Sequence, residues 1–188
     1  MQLDAIQYQN VSSAGFHTFR PCGNGFWTCI IAHGPVCFEC DGTERKMTGS
    51  HMILYEPGAR QNIYSADADY LHDWFHLKME DADRAFFQPL GIPVNVPAPL
   101  VNLAPLSGLI RLAAMEFEAH GSHSSGVCDH LMHAFFLKAA DLIREAPLPV
   151  PPERHYAAMA ALREEIHSFP YRAWTLAEAC LLYTSRCV

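Results

Sequence analysis

Long apolar runs are missing from this 188-residue chain, and so is any excess of basic charge. No uninterrupted apolar stretch approaches the roughly 18–20 residues that cross a bilayer, so a helical membrane anchor is not expected. Lys and Arg together number 13 against 20 Asp and Glu, which leaves a net charge of -7. That is the wrong sign for a domain whose main business is to hold phosphates. Any contact with DNA is therefore expected from a part that is small here or absent. Charged residues are only 18% of the chain and apolar residues 50%, a balance that fills a sizeable core and argues against disorder. A basic, apolar leader is also lacking, since Met1 to Asn10 carries an acid and several amides. Cytoplasmic localisation is the expectation.

Paired metal-binding cysteines are lacking too, although cysteine is not rare. Cys22, Cys29, Cys37, Cys40, Cys128, Cys180 and Cys187 are present, yet Cys37 and Cys40 have no second pair at a zinc-like spacing. On a strand those two would point to opposite faces. Buried or half-buried free thiols are expected, with neither a metal nor a disulfide.

What is present reads first as β structure. Short runs rich in strand-forming residues, at 16–20, 27–32, 36–39, 45–48, 52–55, 61–64 and 70–77, alternate with glycine and proline turns. Asp41-Gly42 between two such runs signals a hairpin, because glycine accepts the positive φ that such a turn needs. This spacing favours a sandwich or a small jelly-roll barrel. After Lys78 the period changes. A short helix is expected over 81–90, an irregular proline-containing connection over 92–100, and long helices over 103–120 and 127–146. The second long helix has a wide apolar arc. Burial on two sides, against the β unit and a second subunit, and burial within one chain both satisfy it.

Residues 147–153 form a proline-rich linker, and 154–168 read as a further amphipathic helix stopped by Pro170. Thr175 is a good N-cap with Glu178 at the capping-box position, so another helix is expected to begin there. Residues 180–188 break the pattern. They back-translate as TGT CTC TTA TAC ACA TCT AGA TGT GTA, which begins with a transposase end sequence used in sequencing-library adaptors and runs on into its reverse complement. They are expected to be a fusion scar and are set aside.

Three β segments carry a resemblance. Phe19-Arg20-Pro21 before a glycine turn, Gly49 to Gly58 with its Pro57-Gly58 turn, and Tyr70 to Leu77 follow one another in an order and spacing that resemble the sensor region of AraC-type (AraC/XylS) transcription regulators. Residues 160–179, around Trp174-Thr175-Leu176-Ala177-Glu178-Ala179, resemble the opening of that family's DNA-binding domain. The resemblance implies a mainly β plus α fold. Residues 1–100 would be a cupin-like jelly-roll effector-binding barrel and its connection, 101–146 a helical dimerisation element, and 154–179 the first helices of a truncated helix-turn-helix domain. It further implies a homodimer, with DNA bound only through recognition helices beyond residue 179. No cofactor, no metal, no membrane and no enzymatic activity are expected.

A strand over 70–77 places His72, Trp74 and His76 on one face and Asp73, Phe75 and Leu77 on the other. The first face offers an indole platform flanked by imidazoles, which suits a sugar or a similar polar ring, and an amphipathic or aromatic molecule would also fit. The resemblance adds Arg20, His72 and Trp74 as effector contacts, with Tyr64 the nearest tyrosine although its spacing from Pro57-Gly58 is one residue longer than the family's pattern. Gln61 and His17 are further polar candidates. Each has a plainer reading as well: Trp74 as core, Arg20 as a surface strand residue. The rival function is a metal-dependent cupin enzyme, whose His-x-His pair with a nearby Glu is lacking here. Arg60-Gln61 stands where a histidine would be expected, and His72 and His76 are ~13 Å apart along a strand, too far to share an ion. A free-standing binding module is a third reading, against which the helix after the linker argues.

Overall fold

Antiparallel pairing divides the strands of the first 78 residues between two sheets. A computed structural model describes residues 1–40, 42–65, 68–100, 102–144 and Thr175. In chain order the strands are β1 (Gln2–Ser12), β2 (His17–Arg20), β3 (Trp27–Ala32), β4 (Val36–Cys40), β5 (Thr43–Met47), β6 (His51–Tyr55), β7 (Gln61–Tyr64), β8 (Tyr70–Lys78) and β9 (Ala98–Pro99). The helices are α1 (Asp81–Phe87), continued by a 3-10 turn at Gln88–Leu90, then α2 (Ala104–Ala119) and α3 (Ser124–Arg144). One sheet has five strands in the order β1-β8-β3-β6-β9 and the other has four, β2-β7-β4-β5.

β3 and β6 are buried at every position. Both faces of the five-stranded sheet are covered, which is why these strands are nearly continuous apolar runs and do not alternate. Toward the four-stranded sheet, Ile30, Ala32, Ile53, Tyr55 and Tyr70 pack with Phe38 and Ile63. Toward the helices, Cys29, Ile31, Leu54, Phe75 and Leu77 pack with Leu106, Ile110, Met132, Phe135 and Phe136. Phe75 meets Phe135 and Phe136 edge-on, with ring centroids 5.0 and 6.2 Å apart. Such aromatic pairs contribute about 0.5–1.5 kcal/mol each beyond their buried area.

The expected strands are present with ends shifted by up to two residues, and Gly42 takes φ 72° in the β4–β5 hairpin. β1 was not expected. Its register slips twice against β8, between Leu3 and Ala5 and between Gln7 and Asn10, so the alternation that would mark a strand is broken by bulges. The stretch expected to be an irregular connection also contributes β9, a two-residue strand paired with β6. Cys22 is an exposed free thiol, and Cys29, Cys37 and Cys128 are buried free thiols.

The chain divides into two units, Met1–Glu145 and Ala146–Val188. The linker expected at 147–153, the domain start at 154–179 and the scar at 180–188 lie outside the described residues, apart from an exposed Thr175. No described helix is long and apolar enough to cross a membrane.

Candidate functional site

A cavity of about 250 Å³ opens between the two sheets. β8 supplies one wall: Tyr70, His72, Trp74 and His76 line it, each two residues from the next. β2 contributes Thr18 and Arg20, β3 contributes Thr28 and Ile30, β7 contributes Ile63, and the irregular part of β1 contributes Gln7 and Asn10. Phe16 completes the lining.

Of the residues singled out from the sequence, Arg20, His72, Trp74 and His76 are brought together here. Gln61 is fully buried just behind them, and its Oε1 accepts a 2.9 Å hydrogen bond from Arg20 Nη1. His17 and Tyr64 are not brought to the cavity. They face each other across the β2–β7 pair, in register, one residue out of phase with Thr18 and Ile63, which line it. Their rings meet edge-on at 5.8 Å, and His17 Nε2 bonds Asn62 Oδ1 at 2.7 Å. A one-residue offset on a strand reverses the face, and that separates these two from the cavity.

The imidazoles are held in defined states. His72 Nδ1 donates to the Tyr70 carbonyl at 3.2 Å, which leaves Nε2 to accept from Asn10 Nδ2 at 3.0 Å. Burial lowers its pKa, against the raising effect of the carbonyl bond. The orientation of Asn24 is fixed because its Oδ1 accepts from the Phe26 N–H and from Thr28 Oγ1. Its amide nitrogen therefore faces His76 Nε2, at 3.0 Å, and the His76 proton sits on Nδ1. Burial lowers the His76 pKa, and the charge of Arg20 lowers it further. Both imidazoles are accordingly neutral at physiological pH. The rings form a ladder: Tyr70 stacks on His72 at 4.2 Å and 7°, Trp74 leans on His76 at 4.8 Å, and Phe26 stacks on His76 at 5.7 Å and 10°.

Behind the cavity wall, on the other face of β8, Asp73 is fully buried. It accepts from the Gln9 N–H at 2.7 Å, from His33 Nε2 at 2.8 Å and from Ser107 Oγ at 2.6 Å. Burial alone would raise its pKa, but the bonds from His33, Ser107 and Gln9 outweigh it and hold the carboxyl below its ordinary value. Gln9 has φ 51°, an uncommon conformation for a residue with a side chain. Sequence reasoning missed Asn24, Gln7 and Asn10, and it placed Asp73 on the opposite face of β8 without its partners Gln9, His33 and Ser107. Tyr70 and Thr18 were within reach, because they share strand faces with His72 and Arg20.

Among the described residues, the side chains that could together hold a metal ion are Asp83, Asp129 and His133, with ligand atoms within 4.8 Å of one another. None of them lines the cavity. The N-terminal ammonium of Met1 sits against both carboxylates, 2.8 Å from Asp83 and 2.5 Å from Asp129.

No protein-family model and no curated protein matches the chain. Among solved structures it is similar to ToxT from Vibrio cholerae, at 13% identity and TM-score 0.45, over 94% of this chain and 70% of that one. ToxT from V. cholerae O395 bound to (E)-4-(8-methylnaphthalen-1-yl)but-3-enoic acid is similar at 12% identity and TM-score 0.47, over 94% and 70% of the two chains. Unsaturated fatty acid-bound ToxT from strain SCE256 is similar at 12% identity and TM-score 0.36, over 96% and 69%. The likeness is loose, and the chemistry of the cavity rests on its own residues.

Proposed function

We propose that the chain is the effector-sensing part of an AraC-type transcription regulator, with a cupin-like barrel that binds a small molecule of about one ring. The observation that carries this reading is the inter-sheet cavity. It combines an indole, two neutral imidazoles, a guanidinium and amide and hydroxyl groups, the mixture of flat apolar surface and directional polar groups that a polar ring needs. Hydrogen bonds among Asn10, Asn24, Gln61 and the cavity residues fix the donors and acceptors in advance, which lowers the entropic cost of binding. The sequence resemblance supplies the rest of the proposal: α2 and α3 as a dimerisation element, a cytoplasmic homodimer, and DNA contacted only through helix-turn-helix units beyond the described residues. A sugar is a natural size match for the cavity.

The test is a thermal-shift screen of the full chain against neutral monosaccharides and other single-ring compounds, with Trp74→Ala in parallel. A stabilising compound whose effect is lost in Trp74→Ala supports the cavity as the effector site. A compound that stabilises both proteins equally removes Trp74 from the site, and binding that no cavity substitution weakens overturns the reading.

A further inference from the structure

Charge within the cavity is one-sided. Among the described residues that line it, Arg20 is the one with a formal charge and none is a carboxylate. Among the described residues the Arg20 guanidinium has one side-chain partner, the neutral Gln61 oxygen, and no ion pair. A guanidinium presents several N–H donors in a fixed fork, so most of its capacity is unused. The carboxylates whose charge reaches the neighbouring imidazoles are engaged elsewhere. Asp73 lies on the opposite face of β8 with three partners of its own, and Asp4 is paired with Lys78 at 3.4 Å. Gln61 adds to the imbalance. With its oxygen turned to Arg20, its buried Nε2 has no partner, so the guanidinium is backed by a further unpaired donor.

Resting on the effector-site reading above, we infer that the ligand of this cavity is a single-ring carboxylate, its acid group held by Arg20 and its ring lying against Trp74. Size supports a single ring: a cavity of about 150 Å³ accommodates benzene, so one of about 250 Å³ holds a ring with a small substituent. The neutral imidazoles are consistent with an anion that is met by the guanidinium alone, with His72 and His76 contributing polar contacts and stacking rather than charge. Arg–carboxylate pairing is charge-assisted and often bidentate, which makes it both the strongest and the most selective contact available to these side chains. The ring itself can be a sugar acid or an aromatic acid, since both present a flat face to an indole.

Isothermal titration of the full chain with glucuronate, benzoate, glucose and benzyl alcohol separates the possibilities. The acid of at least one pair is expected to bind about 10- to 100-fold more tightly than its neutral counterpart, and Arg20→Gln is expected to erase that preference. The pair that responds distinguishes the sugar source from the aromatic one. If Arg20→Gln lowers the melting temperature of the free protein, Arg20→Lys supplies the second reading: it keeps the charge and should retain a reduced preference for the acid. Neutral rings that bind as tightly as the acids, in a manner lost in Trp74→Ala, overturn the carboxylate while leaving the cavity as the effector site. A flat response to both acids also overturns it, and the neutral-ring screen then decides the effector-site reading independently.

Discussion

Ser107 of α2 donates its hydroxyl to Asp73 Oδ2 over 2.6 Å, and Asp73 stands on β8 between His72 and Trp74 with its side chain turned the other way. The helical layer is thus bonded to the strand that forms the cavity wall. The same carboxylate holds the Gln9 N–H, in the part of β1 whose neighbours Gln7 and Asn10 line the cavity. One buried group ties together an irregular cavity strand, the β3–β4 turn through His33, and α2.

Removing that group should be costly. Asp73→Ala leaves the Ser107 hydroxyl and the Gln9 N–H buried without their acceptor, and a loss on the order of 3–5 kcal/mol is expected. Ser107→Ala removes one donor and leaves two, and should cost about 1–2 kcal/mol. Urea denaturation of the full chain and both variants measures the difference. Equal costs would mean that the carboxylate is not the centre of the network.

Stability should fall in two stages as the pH is lowered. His51, His72 and His76 have folded pKa values below 6.5, chiefly through burial, so the unfolded chain takes up protons that the folded one refuses. Their contribution is complete above pH 6.5 and declines as the pH drops from there toward the folded values. Asp73 and Asp83 lie below 3.8, so their contribution is complete above that pH and is lost as the pH falls through their folded values. Denaturation midpoints across a pH series should show both declines, and His72→Asn should flatten the first. A stability that rises on acidification from neutral pH would contradict the assignment of neutral imidazoles.

Much of the β scaffold was legible because β3, β6 and β7 are bounded by glycine or proline turns and, with β8, are filled with β-branched and aromatic residues. The division of β8 into two faces followed from the period of a strand alone, and it places His72, Trp74 and His76 together. β1 was not legible, because its two register slips change which side chains share a face and its amides give little strand signal. That cost the reading Gln7 and Asn10. His17 and Tyr64 drew attention as polar and aromatic residues, yet their inward or outward direction depends on a phase that composition does not carry. Asp73 was assigned to the apolar face correctly, but nothing local announces that His33 and Ser107, distant in sequence, converge on it.

Gly23, next to the Asn24 that bonds His76, provides a backbone test. It has φ 63°, and a Cβ there would lie 2.8 Å from the Gly58 nitrogen and 3.0 Å from the Ala59 oxygen. Gly23→Ala should therefore lose on the order of 2 kcal/mol or more. Gly25→Ala, with φ 81° and no atom within 4 Å, should lose only the conformational part, about 1 kcal/mol. Gly23→Ala should also weaken ligand binding, because the neighbouring Asn24 orients His76. Denaturation and titration of the two variants side by side check this. Indistinguishable variants would remove the steric argument.

The alternation along β8 has a consequence for how such a protein can change. Tyr70, His72, Trp74 and His76 line the cavity while Asp73, Phe75 and Leu77 face the helices, so the two sets of side chains are selected separately although they occupy one strand. Substitutions at 72, 74 and 76 can alter the chemistry of the cavity while Asp73 and Phe75 keep the helical layer in place. A chain built this way can vary its cavity lining by point changes and keep the packing of β8 against the helices.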